Sequence, residues 1–167
     1  GNNALICKMA NRVRTRESLI MEAIYKGSGE FSCGIINAYD YQPGNPDIYM
    51  EGGDILIARD DILLLGNGAR TSTQGIDLLA ARLGALAPEG RRHIIVQQLP
   101  RTPESFIHLD MVFTLLDRDK CMVFEPLILG DNQYQTVHIT MENGKVVKIN
   151  SVSNILTVLR RLGMDLE

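Results

Sequence analysis

His108-Leu-Asp110 places an imidazole and a carboxylate two residues apart at the start of an apolar stretch. In an extended strand such residues share one face, so His108 and Asp110 are expected to line one pocket wall, with Leu109, Met111 and Phe113 turned to the core. A planar delocalised cation such as guanidinium is well held by carboxylates, and an imidazole beside it can move protons once the cationic carbon is attacked. Glu51 precedes Gly52-Gly53, where missing side chains let a backbone or ligand approach closely, and its expected task is to orient or charge-tune His108. Asp54 is read as a turn or hydrogen-bonding residue. Arg14 and Arg70 fall at expected element ends and could fork onto a substrate carboxylate. Arg12 and Arg16 could share the role of Arg14, and a surface salt bridge from this basic cluster to Glu17 is the plainer alternative. For His108 and Asp110 the plainer alternative is a solvated strand face. His93 and His138 are read as surface or packing residues.

The elements that must position these groups follow from periodicity. Residues 15–26 carry Ile20, Ala23 and Ile24 at helical spacing and end at Gly27-Ser28-Gly29. Residues 37–47 read as a loop feeding an extended segment at residues 48–50. Two apolar runs, 54–59 and 62–65, flank the acidic turn Asp60-Asp61 and predict a hairpin. Thr71, Ser72 and Thr73 are candidate caps for a helix whose Ile76, Leu79, Ala80 and Leu83 form the stripe that lies on a sheet. Residues 93–97 predict a strand. A second hairpin is expected from 110–116 and 121–125, and a third from 137–141 and 145–149 around Asn143-Gly144. Ser153 is a possible cap for a last amphipathic helix bearing Ile155, Val158, Leu159 and Leu162. Hairpin plus helix therefore recurs, as in a radial or stacked α/β assembly. Glu51-Gly-Gly-Asp54 and His108-Leu-Asp110 open two hairpins alike, which predicts one site served by two repeats.

With 167 residues, 45% of them apolar, the chain is expected to form one domain with a real core. Seventeen basic and twenty acidic side chains, for a net charge of -3, offer no broad attraction for nucleic acid or an anionic membrane. No apolar run is long enough to span a bilayer and Gly1-Asn2-Asn3 does not open a secretory signal, so the expected compartment is the cytoplasm. Gly1 has the look of a processing or cloning remnant. Cys7, Cys33 and Cys121 have no metal-ligand or redox spacing and are expected to be buried thiols. No P-loop or GxSxG elbow is found.

Four stretches, taken in order, resemble the arginine deiminase family: Thr15-Arg-Glu-Ser-Leu-Ile-Met-Glu-Ala-Ile-Tyr-Lys26, Met50-Glu-Gly-Gly-Asp-Ile-Leu56, Gly66-Asn-Gly-Ala-Arg-Thr-Ser72, and His108-Leu-Asp-Met-Val-Phe-Thr114 followed by Asp117-Arg-Asp119. The resemblance covers nearly the whole chain. It implies an α/β propeller of ββαβ units, the pentein type of the guanidino-modifying superfamily, incomplete in this chain. It also implies hydrolysis of L-arginine to L-citrulline and ammonia through a cysteine covalent intermediate. On the matched positions His108 would be the general acid/base, Glu51 its partner and Asp110 one of two aspartates gripping the guanidinium. Arg70 and Arg14 would hold the substrate carboxylate, and no metal or organic cofactor is implied. The family's nucleophile lies in a glycine-rich segment followed by Cys-Met, and its other aspartate in a Phe-x-Arg-Asp stretch; this sequence contains neither. The chain is therefore expected to be an internal fragment, catalytically dead by itself. An incomplete propeller exposes sheet edges and apolar faces, so a homo-oligomer is expected. The alternatives are an amidinotransferase or agmatine deiminase relative, or a non-catalytic arginine-binding or interaction module.

Overall fold

The computed structural model describes residues 3–38 and 47–167. Its centre is a five-stranded mixed sheet in the order β3 (Ile55–Arg59), β4 (Ile62–Asn67), β5 (Arg91–Gln98), β8 (Thr136–Glu142), β9 (Lys145–Val152). β3 and β4 form the first expected hairpin, antiparallel with Ile55 opposite Leu65 and a register shift between Ile57 and Arg59. α2 (Thr73–Leu86) then crosses over so that β5 (Arg91–Gln98) runs parallel to β4. The third hairpin is β8 (Thr136–Glu142) and β9 (Lys145–Val152), turning through Asn143 at φ 48° and Gly144 at φ 76°, the left-handed conformations that a two-residue hairpin turn requires.

Both faces of the central strands are covered, which is why β4 and β5 read as continuous apolar runs rather than alternating ones. Leu65 and Ile94 pack under α2 with Ile76, Leu79, Ile139 and Met141. Leu64 and Ile95, their immediate neighbours in sequence, point the opposite way into a second cluster with Leu109, Phe113, Ile155 and Leu159. The last two belong to α4 (Ile155–Arg161), whose cap is Asn154, accepting from the Thr157 N–H, and not Ser153. For α2 the capping residue is Ser72, which accepts from the Gly75 N–H.

Several expectations need correction. The second hairpin is shorter than expected: β6 (Phe113–Leu115) pairs with β7 (Cys121–Val123) as a separate sheet, and a short helix α3 (Glu125–Ile128) follows. Residues Leu109–Met111 form a 3-10 turn, so Met111 faces solvent at 51% exposure instead of the core. Residues 48–50 form no strand, although Met50 is buried and its N–H reaches the Lys8 carbonyl. Of the expected loop, Asn37 belongs to a strand and residues 39–46 lie outside the described residues. Nothing in the pattern predicted the parallel pair β1 (Asn3–Ile6) and β2 (Gly34–Asn37). The first helix, α1 (Thr15–Gly27), forms as expected, but its Ile20 and Ile24 are 59% and 40% exposed.

His93 is buried and its Nδ1 lies 2.9 Å from Nε2 of His138 on the neighbouring strand, a single hydrogen bond that needs one nitrogen to accept. Burial holds both imidazoles below their ordinary value of 6.5, and His138 is pressed further by His93. A base depressed in the fold contributes stability above its unfolded value and loses it as pH falls through the folded one. Thermal midpoints are therefore expected to be flat above roughly pH 7 and to fall towards roughly pH 5, with His138→Gln flattening that slope. An unchanged slope in the variant would remove the pair as its cause.

Candidate active site

The site forms where β3 begins and β4 ends. Two 3-10 turns meet there, Gly52–Asp54 and Leu109–Met111, each preceded by an extended residue: Glu51 at φ −128°, ψ 148° and His108 at φ −127°, ψ 153°. The sequence parallel between the two motifs is thus a backbone parallel. Each turn closes on its leading residue, Asp54 N–H to the Glu51 carbonyl at 3.0 Å and Met111 N–H to the His108 carbonyl at 3.3 Å. Leu109, wholly buried, anchors the second turn in the core.

Glu51 is 2% exposed and ringed by donors. Its carboxylate accepts from the Ala10 N–H at 3.2 Å and from Arg14 Nη1 at 2.5 Å, with Arg70 Nη1 and His108 Nε2 each 3.5 Å away. Arg14 also forks onto Glu17 at 2.9 and 2.8 Å, so the surface bridge considered above is present together with the contact to Glu51. The other face of the imidazole belongs to Asp54: Nδ1 of His108 lies 3.5 Å from Oδ2. Asp54 is completely buried, its Oδ2 accepts from the Thr71 hydroxyl at 2.6 Å and its Oδ1 from the Leu109 N–H at 2.9 Å. Burial pushes its carboxyl above the ordinary range against the pull of Thr71, Leu109 and His108.

Asp110 is exposed and sits across Gly53 from the rest. A Cβ on Gly53 would meet His108 Cγ at 2.9 Å and the two Asp110 oxygens at 3.0 and 3.2 Å, so this glycine is the close-approach position, whereas Gly52 faces open space. Glu51, His108, Asp110, Arg14 and Arg70 are therefore brought to one place. Both guanidiniums lie on Glu51, while Asp54 faces the imidazole and the Asp110 oxygens line the space beside Gly53. Cys7 lies close enough for Glu51 and Asp54 to add to the effect of burial, which together push its thiol up to about 12. Cys121 is also raised by burial. At neutral pH these are protonated thiols, not nucleophiles.

Sequence reasoning undervalued Asp54 and Thr71. Asp54 is a hydrogen-bonding residue, as expected, with the Thr71 hydroxyl and the Leu109 N–H as its partners and the imidazole 3.5 Å away, and Thr71 serves that carboxylate rather than capping a helix. The available signal was the repeated motif, in which an aspartate follows each leading residue within three positions. Asp54 follows Glu51 by three positions and Asp110 follows His108 by only two, and this offset turns the first aspartate inward and the second outward.

An arginine deiminase family profile matches residues 1–165. Arginine deiminase 1 of Staphylococcus epidermidis is 31% identical over 160 residues, which is 95% of this chain and 38% of that protein. The arginine deiminase of Oenococcus oeni is 32% identical over 169 residues, covering 99% of this chain and 39% of its own. The chain thus spans about two fifths of the length of the curated relatives it matches. Among solved structures, an amidinotransferase of the saxitoxin pathway from Microseira wollei overlays 74% of this chain and 38% of its own at TM-score 0.48 and 18% identity. A dimethylarginine dimethylaminohydrolase overlays 100% and 65% at TM-score 0.48 and 15% identity. Neither overlay is close enough to carry an argument.

Proposed function

The chain belongs to the arginine deiminase family, and from that premise we propose that it provides the acid/base and guanidinium-binding part of a site that hydrolyses L-arginine to L-citrulline and ammonia. The carrying observation is the His108 imidazole held between Glu51 and Asp54, with Asp110 beside it across Gly53. In the proposed reaction a cysteine thiolate adds to the guanidinium carbon, His108 gives a proton to the departing nitrogen, and ammonia leaves. Water then adds to the same carbon, surrendering a proton to His108, and the carbon–sulfur bond breaks to release the ureido product. Asp110 grips the delocalised cation, Glu51 holds His108, and Arg70 and Arg14 receive the α-carboxylate.

Neither Cys7 nor Cys121 supplies the thiol in this reading, since burial with Glu51 and Asp54 pushes Cys7 up to about 12 and Cys121 lies in β7 with its thiol raised by burial. The unit β3-β4-α2-β5 supports a partial propeller of ββαβ repeats. A homo-oligomer belongs to the same proposal, supported by the uncovered Val147 and Ile149 of the edge strand β9. So does a cytoplasmic setting, consistent with free cysteines.

Titration calorimetry on the 167-residue chain is expected to show L-arginine binding at least roughly tenfold more tightly than agmatine, which lacks the carboxylate that Arg14 and Arg70 would fork. A citrulline assay of the same sample is expected to stay at background. Equal affinity for agmatine would remove Arg14 and Arg70 as carboxylate ligands. Citrulline production lost in His108→Ala would show that the chain carries its own nucleophile.

A further inference from the structure

His108 has two nitrogens and each faces a carboxylate, so the identity of the proton-exchanging nitrogen depends on which carboxylate holds the other. The two are not equivalent. Glu51 is already met by the guanidiniums of Arg14 and Arg70 and by the Ala10 N–H. Among the described residues no guanidinium meets Asp54; its ion-pair partner there is His108, at 3.5 Å from Nδ1. Asp54 is also the more deeply enclosed, with no exposed surface, and the facing Nδ1 is itself buried without a closer partner among the described residues. An uncompensated carboxylate in such a place demands a donor.

The surrounding hydrogen bonds have fixed directions. The Glu51 backbone N–H can only donate, and it reaches Thr71 Oγ1 at 3.2 Å. The Thr71 hydroxyl therefore accepts there and commits its own proton to Asp54 Oδ2 at 2.6 Å. Oδ1 is occupied by the N–H of Leu109, the residue that follows His108, so Asp54 grips the backbone behind the ring as well as facing the ring. Gly66 seals the carboxylate from behind, since a Cβ there would fall 2.3 Å from Oδ1.

Building on the acid/base role given to His108 above, we propose that Asp54 is a positioning residue, locked by Thr71 and the Leu109 amide, that keeps the imidazole proton on Nδ1 and leaves Nε2 to exchange protons. Thr71 adjoins Arg70, so the loop that presents one guanidinium to Glu51 also sets the direction of the imidazole. The other charged groups facing this centre are Glu51, Asp110, Arg14 and Arg70, with the thiol of Cys7 held protonated nearby.

The chain has three histidines, so imidazole 15N spectra can be assigned with His93→Gln and His138→Gln. Under alkaline conditions, where an imidazole is neutral, His108 is expected to carry its proton on Nδ1. Asp54→Asn is expected to move that proton to Nε2. Thr71→Val is expected to give a mixture of the two forms, and Thr71→Ser to restore the Nδ1–H form. A wild-type ring protonated on Nε2, or an unchanged spectrum in Asp54→Asn, overturns the proposal. Should Asp54→Asn not fold, the wild-type spectrum and the Thr71 pair decide it. The spectra need no substrate, so failed arginine binding with an Nδ1–H ring would defeat the functional reading alone. Firm arginine binding with an Nε2–H ring would defeat the positioning role alone.

Discussion

Glu51→Ala is expected to destabilise the fold by about 2–3 kcal/mol and to weaken L-arginine binding by at least roughly tenfold. Removing one member of a buried ion pair ordinarily costs about 3–5 kcal/mol because the other charge is left uncompensated. Here the side chains of Arg14 and Arg70 are 36% and 27% exposed, so both guanidiniums can turn partly to water, which lowers the figure. What they cannot relieve is mutual repulsion around a vacated space that also borders His108. Glu17→Ala is the control: it removes the exposed half of the Arg14 fork and is expected to leave the unfolding midpoint close to that of the parent. Urea unfolding and calorimetry on both variants check this. If Glu51→Ala behaves like Glu17→Ala, Glu51 is not the electrostatic centre of the site.

Gly66→Ala is expected to cost still more, about 3–5 kcal/mol, a large share of the stability of an ordinary domain. The new Cβ would lie 2.3 Å from Asp54 Oδ1 and 2.9 Å from both Asp54 Cγ and Leu99 Cδ1. A surface side chain would swing away from such an intrusion. Asp54 cannot, because Thr71 and the Leu109 amide hold its two oxygens and no solvent touches it. Either β4 parts from the first turn, or Asp54 gives up buried charge-assisted hydrogen bonds, each worth about 1.5–3 kcal/mol. Gly52→Ala supplies the comparison, since its Cβ would meet nothing within 4 Å, and it is expected to stay within about 0.5 kcal/mol of the parent. Equal denaturation midpoints for the two alanine variants would mean that the pocket around Asp54 is not rigid.

Local pattern carried much of the fold. The stripe of Ile76, Leu79 and Ala80 did lie on a sheet, and Asn143-Gly144 did turn a hairpin, because helical period and left-handed turn chemistry are properties of a few consecutive residues. The pairing of Glu51-Gly-Gly-Asp54 with His108-Leu-Asp110 was legible for the same reason. Misreadings arose where a short stretch had two local solutions. Residues 109–111 suit a strand by composition, yet they fold as a 3-10 turn because Leu109 is drawn into the core and its N–H is taken by Asp54. Helical spacing in α1 was legible, but which of its apolar residues would be covered was not, and Ile20 and Ile24 stay 59% and 40% exposed.

The sequence by itself determined the family, the hairpin-and-helix grammar and which side chains are chemically able to serve a guanidinium site. Tertiary structure alone decided their partners: Arg14 on Glu51 across 37 positions, and the Leu109 amide on Asp54 across 55. It also decided that Asp54 is enclosed while its counterpart Asp110 faces outward. Residue type and spacing specify what a side chain can donate or accept. Which carboxylate ends up uncompensated depends on which cations the folded chain carries to it from far along the sequence, and on how much water it leaves there.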